Sequence, residues 1–340
     1  MNRYIITNKE ELNIILINTA NKLGRTFAVV EKDYWVSVVL EYLFNHSKWK
    51  DKIAFKGGTS LSKCFNLIDR FSEDIDLLID NSIFNDYKSD YHVEYSPNKL
   101  KTIIKKLNNS LAIFLKNDFL NDIKEHFKTN LVFDIEIFID DRDKNTVLIN
   151  YPKVSSLSYI NPMIRLEFGC IVPIKNTTTS SIKPLISEVY PNLFKQSTSV
   201  NVVLLEQTFW EKATILHQEA NRSINKQFPS IYSRHYYDLY KMSLTSVKTK
   251  ALNNLGLLGN IIKTNETLYR KAWAKYDSIM KYGIKLIPVD LNLMRLEKDF
   301  ENMKDLIHGD CPSFVTIINS LRTLENEINI KIKAKKEIDQ

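Results

Sequence analysis

The residues best suited to chemistry lie in one short stretch. It runs Phe55-Lys56-Gly57-Gly58-Thr59-Ser60-Leu61 and then, after Arg70-Phe71-Ser72-Glu73, continues as Asp74-Ile75-Asp76-Leu77-Leu78-Ile79. Residues two apart on a strand point to the same side, so Asp74 and Asp76 present two carboxylates together while Ile75 and Leu77 turn into a core. Like charges so placed repel unless a cation sits between them, and hard carboxylate oxygens favour magnesium or manganese over zinc. Gly57 and Gly58 close one apolar run and open a helix, where backbone amides and the Thr59 or Ser60 hydroxyl can approach a triphosphate at a positive helix terminus. A metal bridging phosphate oxygens across from that turn would stabilise charge on a transferring phosphoryl group. These residue types therefore suit phosphoryl or nucleotidyl transfer. Each half alone says little: an Asp-x-Asp is usually a solvated turn, and the glycine turn has neither Walker-loop spacing nor a G-x-G-x-x-G.

The elements that must position these groups follow from periodicity. Thr7 with Glu10 fits a capping box, and Leu12, Ile15, Leu16, Ala20 and Leu23 follow at helical spacing. A second helix is expected over Ala28 to Phe44. Ile53 to Phe55 reads as a strand, Thr59 to Ile68 as a helix and Ile75 to Ile79 as a further strand, giving the order strand, glycine turn, helix, strand. An amphipathic helix is expected from Asn98 to Phe119, with Leu100, Ile103, Ile104, Leu107, Leu111 and Phe114 on one face. Three β-rich segments come next, Leu131 to Ile139, Thr146 to Tyr151 and Met163 to Val172, and Thr177 to Ser181 reads as an exposed loop after them. Beyond a last strand at Val200 to Leu205 the pattern is helical, with Leu293, Leu296, Phe300, Met303 and Leu306 stepping by three and four. Gly309 and Pro312 mark a stop before a helix from Ser313. The expected fold class is α+β: a mixed sheet flanked by helices in residues 1–200, and a helical C-terminal domain in 201–340.

Composition sets the surroundings. With 340 residues, 44% hydrophobic and 26% charged, the chain can bury a substantial core and lacks a disordered composition. The longest apolar stretch, Val36 to Phe44, is interrupted by Ser37 and Glu41 and is too short to span a bilayer, so no membrane partner is expected. MNRYIITNKEELN lacks the order of a secretory signal, and the expected location is the cytosol. Cys64, Cys170 and Cys311 are odd in number and far apart, which suggests neither a disulfide framework nor a zinc site. A net charge of +7 is compatible with a polyanionic partner such as RNA, although lysine-rich composition alone does not require one.

A third carboxylate has two candidate segments: Asp134 or Glu136 in VFDIEIFI, and Glu167 in MIRLEFG. An acid flanked by apolar strand residues carries a desolvation cost unless paired or metal-bound, and an ion pair with Arg165 is the alternative role for Glu167.

The string FKGGTSLSKCFNLIDRFSEDIDLLI resembles the signature of the AbiEii/AbiGii nucleotidyltransferase toxins, a branch of the DNA polymerase β-like nucleotidyltransferase superfamily. The resemblance implies a magnesium- or manganese-dependent enzyme that moves a nucleoside monophosphate from an NTP to an acceptor and releases pyrophosphate. It implies Asp74, Asp76 and Glu167 as metal ligands, the family's third acid lying in a segment like IRLEFG. Gly57, Gly58, Thr59, Ser60, Arg70 and Lys212 are implied as the nucleotide-binding set. Leu205 to Ala213 is similar to the family's lysine-bearing helix and Arg234 to Tyr240 to its aspartate-bearing one. Lys212 would then meet phosphates, and Asp238 would assist catalysis or orient that lysine. Val30 to Trp35 also looks like a family segment, where Lys32 could reach phosphate while Tyr34 and Trp35 pack helix against sheet. His235 is a weaker candidate for a general base, and His217 and His308 lack metal-ligand spacing. The implied acceptor is the 3′ end of tRNA, and the implied partner a separately encoded antitoxin.

Three other readings share part of the pattern. A transferase acting on a protein or small molecule would use the same site, and a metal-dependent glycosyltransferase also uses Asp-x-Asp but needs a longer nucleotide-sugar fold before it. A non-catalytic nucleotide- or RNA-binding regulator would not need Asp74, Asp76 and Lys212 together. From about residue 246 no motif is assigned, and Tyr269, Trp273 and Tyr276 are expected in the core.

Overall fold

The computed structural model describes residues 6, 8–72, 74–84, 96–152 and 162–339, with residues 338 and 339 as backbone only. The chain forms two compact units: Met1–Phe65 with Ser72–Val203, and Asn66–Phe71 with Leu204–Gln340.

The first unit is built on a seven-stranded mixed sheet. Its strands are β1 (Ile53–Lys56), β2 (Asp74–Ile79), β3 (Glu136–Ile139), β4 (Thr146–Asn150), β5 (Met163–Gly169), β6 (Thr177–Ile182) and β7 (Thr198–Val203), in the spatial order β3-β4-β5-β2-β1-β7-β6. β2 runs antiparallel to β1 and parallel to β5, while β1 runs parallel to β7. The helices are α1 (Lys9–Leu23), α2 (Phe27–Glu41), α3 (Gly57–Lys63), α4 (Pro97–Phe114), α5 (Leu120–Asn130) and α6 (Ile186–Val189). Alternation along the strands sends Phe55, Ile75, Leu77, Ile164, Leu166, Val200 and Val202 to one face. There they join residues of α1, α2, α4 and α5 in one core. Trp35 stacks on Tyr151 with ring centroids 5.7 Å apart, so Tyr34 and Trp35, both buried, pack α2 in that core. The opposite face carries a small apolar cluster of Ala54, Leu78 and Val203 and, nearer the start of β2, the acidic residues.

Several expectations change in detail. Thr7 lies outside the described residues, and the side chain of Asn8 caps α1 by accepting from the Glu10 and Glu11 amides. α2 ends in a π-helical turn at Tyr42–His46, and α4 runs through a second at Leu115–Phe119 into α5, a wide turn that inserts a residue into the helix without ending it. The helix expected to reach Ile68 stops at Lys63, because Asn66 adopts a left-handed backbone (φ 50°) and the chain turns away. β3 is shorter than the apolar run that suggested it. The expected loop at Thr177 to Ser181 is instead the edge strand β6, paired with β7 from Thr177 to Ile182. Threonine favours the pleated backbone, and an edge strand can leave its hydroxyl side chains partly exposed without apolar alternation.

The second unit is helical: α7 (Leu205–Ala220), α8 (Ser233–Ser243), α9 (Ser246–Leu252), α10 (Leu255–Leu268), α11 (Ile279–Tyr282), α12 (Asp290–Met303) and α13 (Phe314–Asp339). α7 buries Phe209, Trp210, Ala213 and Leu216, and α8 buries Tyr236, Tyr237, Leu239 and Met242. Asn66–Phe71 is fastened within this unit through Asp69, Arg70 and Phe71. The Phe71 amide donates to the Leu306 carbonyl (2.7 Å), the His308 amide to the Asp69 carbonyl (2.8 Å) and Lys241 Nζ to the Asp69 carboxylate (2.7 Å), and Arg70 binds Asp238. Of the aromatic residues expected in the core, Tyr276 is buried, Tyr269 is exposed and Trp273 is half-buried. Among the described residues, no helix is long and apolar enough to cross a membrane.

Candidate active site

In the sheet unit, Asp74 and Asp76 lie on the same side of β2, both half-buried, while Ile75 and Leu77 are buried on the other. Register extends the acidic row. Asp76 sits opposite Glu167 of β5, Asp74 opposite Arg165, and Lys56 of β1 opposite Asp76. Glu167 is thus one strand spacing, about 4.8 Å, from Asp76. The alternative third acids are elsewhere: Glu136 lies on the edge strand β3, about three spacings from β2, where it accepts from Asn150, and Asp134 is exposed ahead of that strand. Glu167 accepts from Arg165 Nε (3.3 Å), whose Nη1 also donates to Asp140 (3.0 Å). The Arg142 amide and this guanidinium together hold the Asp140 carboxyl below its ordinary range. Among the described residues no three His, Cys, Asp or Glu side chains are grouped to hold a metal by themselves.

The glycine turn is pressed against this row. Gly57 has φ +80°, and a Cβ built on it would lie 1.8 Å from Asp76 Oδ2. A side chain is excluded there on both backbone and steric grounds. Gly57 and Gly58 open α3, whose hydroxyls serve the turn: Thr59 donates to the Asp74 carbonyl at 2.5 Å, and Ser60 donates to the Gly57 carbonyl at 2.8 Å. Thr59 also lies 3.0 Å from the Ser72 hydroxyl. Lys32 is buried on α2.

The helical unit holds a buried charged cluster. Asp238 of α8 accepts from Arg70 Nε (2.7 Å) and Nη2 (2.8 Å) and from Lys212 Nζ of α7 (2.7 Å). Arg70 and Lys212 hold the Asp238 carboxyl well below the carboxylate range against the opposing effect of burial. Burial, with Arg70 and Arg234 nearby, lowers Lys212, and Asp238 opposes that shift. His235 is pushed well below its ordinary value, first by burial and then by Lys212 and Arg234, so it is neutral at pH 7. Arg234 Nε and His235 Nδ1 are buried and meet no hydrogen-bond partner among the described residues. Arg70 and Lys212 thus share the Asp238 carboxylate, and Arg234 lies near enough to Lys212 to act on it.

A family model described as the nucleotidyl transferase AbiEii toxin of a type IV toxin–antitoxin system matches residues 38–318. The chain belongs to the AbiEii family. Like that family, it is an NTP-dependent nucleotidyltransferase that releases pyrophosphate, and membership in a type IV toxin–antitoxin family implies a separate antitoxin. The AbiEii match starts after the Val30 to Trp35 segment and runs well past residue 246. Solved structures similar to this chain include the nucleotidyltransferase toxin MenT4 of Mycobacterium tuberculosis, 14% identical, covering 93% of this chain and 98% of its own at a TM-score of 0.41. Another is JHP933 of Helicobacter pylori, 12% identical, covering 95% of each chain at a TM-score of 0.41. No curated protein matches.

Within this AbiEii chain, the strap that carries Arg70 and the neighbours Lys56 and Asp140 escaped the sequence reading of the site, whereas the pairing of Arg165 with Glu167 was among its alternatives. Lys56 stands beside the Gly57-Gly58 signal, and the β-alternation that suggests Glu167 also puts Arg165 on its face. Asp140 is recognisable only once the strands are in register.

Proposed function

We propose that this nucleotidyltransferase transfers a nucleoside monophosphate from an NTP to the 3′-terminal hydroxyl of a tRNA, with magnesium at Asp74 and Asp76. The observation that carries the reading is the cross-strand row of Asp74, Asp76 and Glu167 under a turn whose Gly57 has no room for a side chain. The donor set fits magnesium, which binds one or two carboxylates and completes its octahedron with water and phosphate oxygens instead of a cage of protein ligands. Bound there, the ion would offset charge on the transferring phosphoryl group. Glu167 is the third acid of the row, and its present contact is Arg165. Manganese has the same oxygen preference.

The acceptor oxygen bonds to the α-phosphorus as the bond to the bridging oxygen of the β-phosphate breaks. Pyrophosphate leaves with that electron pair, and the acceptor proton passes to a carboxylate of the row. The amides of Gly57 and Gly58 face the phosphate chain, while the Thr59 and Ser60 hydroxyls shape the turn. By the resemblance of their segments to the family's, Lys212 and Arg70 would supply positive charge to the phosphates; Asp238 holds both in position.

The test is transfer from each labelled NTP onto unfractionated tRNA, with one portion first oxidised by periodate to destroy the 3′-terminal cis-diol. Label confined to untreated tRNA is expected. Equal label on oxidised tRNA would exclude the 3′ end, and label on protein alone would point to a protein acceptor.

A further inference from the structure

The helical unit carries a second basic and aromatic cluster, on the last turn of α7 and the segments beside it. The half-buried Trp273 ring has the Arg222 guanidinium 4.8 Å from its centroid, the Lys226 ammonium 5.4 Å and the Lys271 ammonium 5.9 Å. Two of these cations are anchored. Arg222 forms a bidentate pair with buried Glu219, and Lys271 donates to Gln218 Oε1 at 3.0 Å, an oxygen that also accepts from the Tyr276 hydroxyl at 2.9 Å. Gln218 in turn donates to Glu219 at 2.7 Å, so one hydrogen-bonded row fixes both arms. Arg295 and Asn292 of α12 secure the loop bearing Arg222 and Lys226 by donating to the Ile224 carbonyl (3.0 Å) and the Arg222 carbonyl (3.1 Å).

Lys271 also lines a cleft of about 460 Å³, together with Arg270, Lys275, Tyr276, Glu266 and Asp277. Lys275 is held in a left-handed backbone (φ 54°) with its carbonyl 3.2 Å from His217 Nε2. A non-glycine residue adopts that conformation at a cost, and such positions concentrate where a site is shaped for use. The cleft has the volume of a small-ligand pocket and is large enough for a nucleotide.

We infer that the Trp273 cluster and its cleft form a docking surface for the acceptor RNA, with unpaired nucleotides stacked near Trp273 and phosphates met by Lys226 and Arg270. Cations surrounding a partly exposed indole are the elements of a single-strand stacking platform, in which bases use the ring and phosphates the charges. An acidic protein surface would satisfy the charges but gives no role to the indole or the nucleotide-sized cleft. Gln218 and Glu219 lie six and seven residues beyond Lys212 on α7, about 10 Å along one helix axis. An RNA could therefore be gripped within a few nucleotides of the lysine assigned to phosphate. The inference rests on RNA being the acceptor.

Fluorescence anisotropy with fluorescein-labelled unfractionated tRNA, at several salt concentrations, tests it on the full chain, Trp273→Ala, Trp273→Phe and the double variant Lys226→Glu/Arg270→Glu. Lys226 and Arg270 are exposed, so the double variant decides the matter even if Trp273→Ala fails to fold. The expected result is binding weakened about tenfold by Trp273→Ala and largely kept by Trp273→Phe. The double variant should weaken binding by at least as much and lower the log–log salt slope by about one to two. Wild-type affinity and slope in the double variant, with the wild-type protein binding and labelling tRNA, would overturn the docking surface alone. That holds also if the variant loses a protein partner. Failure of the wild-type chain to bind or label tRNA would overturn the RNA-acceptor reading and this inference with it.

Discussion

Gly57 and Asp76 share one space: a Cβ on the glycine would fall 1.8 Å from the aspartate Oδ2. The strand that presents the carboxylates and the turn that opens α3 are therefore fitted to each other. Gly57→Ala is expected to cost about 1–2 kcal/mol for the left-handed backbone alone, with a further loss from displacing Asp76. Transfer activity should fall at least tenfold. Gly24→Ala is the control, because Gly24 is also left-handed (φ +60°) but has nothing within 4 Å of a built Cβ. It should lose similar backbone stability and keep its activity. Thermal unfolding and NTP incorporation on both variants check this, and equal activity in the two would show that the close approach is unimportant.

Asp238 and Lys212 make separable contributions. Asp238→Asn leaves Arg70 and Lys212 buried without their carboxylate and should destabilise the protein by about 3–5 kcal/mol. Lys212→Met leaves the bidentate Arg70 pair in place, so it should cost less stability while raising the KM for NTP or abolishing transfer. The Asp238 carboxyl is depressed, so its stabilising effect is complete above the unfolded carboxylate range and is lost as pH falls through the folded value. It therefore contributes no pH dependence near neutrality. Urea unfolding at pH 7 with parallel kinetics checks the pair; similar stability loss in both variants would contradict this division of roles.

His126 should govern part of the acid sensitivity. Burial, followed by repulsion from His46 with ring centroids 4.8 Å apart, pushes its pKa down from 6.5 to about 4, although Asp122 acts in the opposite sense. The folded protein keeps this ring neutral where the unfolded chain takes up a proton. Stability is thus lost as pH falls from about 6.5 to 4, and this group adds nothing further below that. Allowing for partial exposure, the loss is about 1–2 kcal/mol. His126→Gln should flatten the stability–pH curve by that amount, as measured by urea unfolding between pH 7 and 4. An unchanged slope would refute the assignment.

Much of the fold could be read from apolar periodicity, because β2, β5 and the amphipathic α4 alternate or repeat as their buried faces require. β6 was hidden, since its Thr and Ser residues occupy a sheet edge and carry no apolar alternation. The end of α3 depends on a left-handed Asn66, which no periodicity announces. Asp74, Asp76 and Gly57 were visible because a local motif brings carboxylates and a turn together within about twenty residues. The Arg70–Asp238–Lys212 cluster joins residues up to 168 positions apart, and the motifs named its members without saying how they pair. Trp273 was expected in the core because an aromatic beside lysines has no periodicity that distinguishes a buried ring from a presented one.

The central claim is that the Asp74 and Asp76 carboxylates carry metal-dependent nucleotidyl transfer. It is tested most directly by incubating the wild-type protein and Asp76→Asn with each labelled NTP and total cellular RNA, with and without magnesium, after the variant's thermal unfolding has been matched to wild type. Magnesium-dependent label on tRNA-sized RNA from the wild type, reduced at least a hundredfold in the variant, is the predicted result, taking loss of one charge-stabilising group as roughly 10²–10³ in rate. Transfer by a folded Asp76→Asn variant at the wild-type rate would contradict the claim.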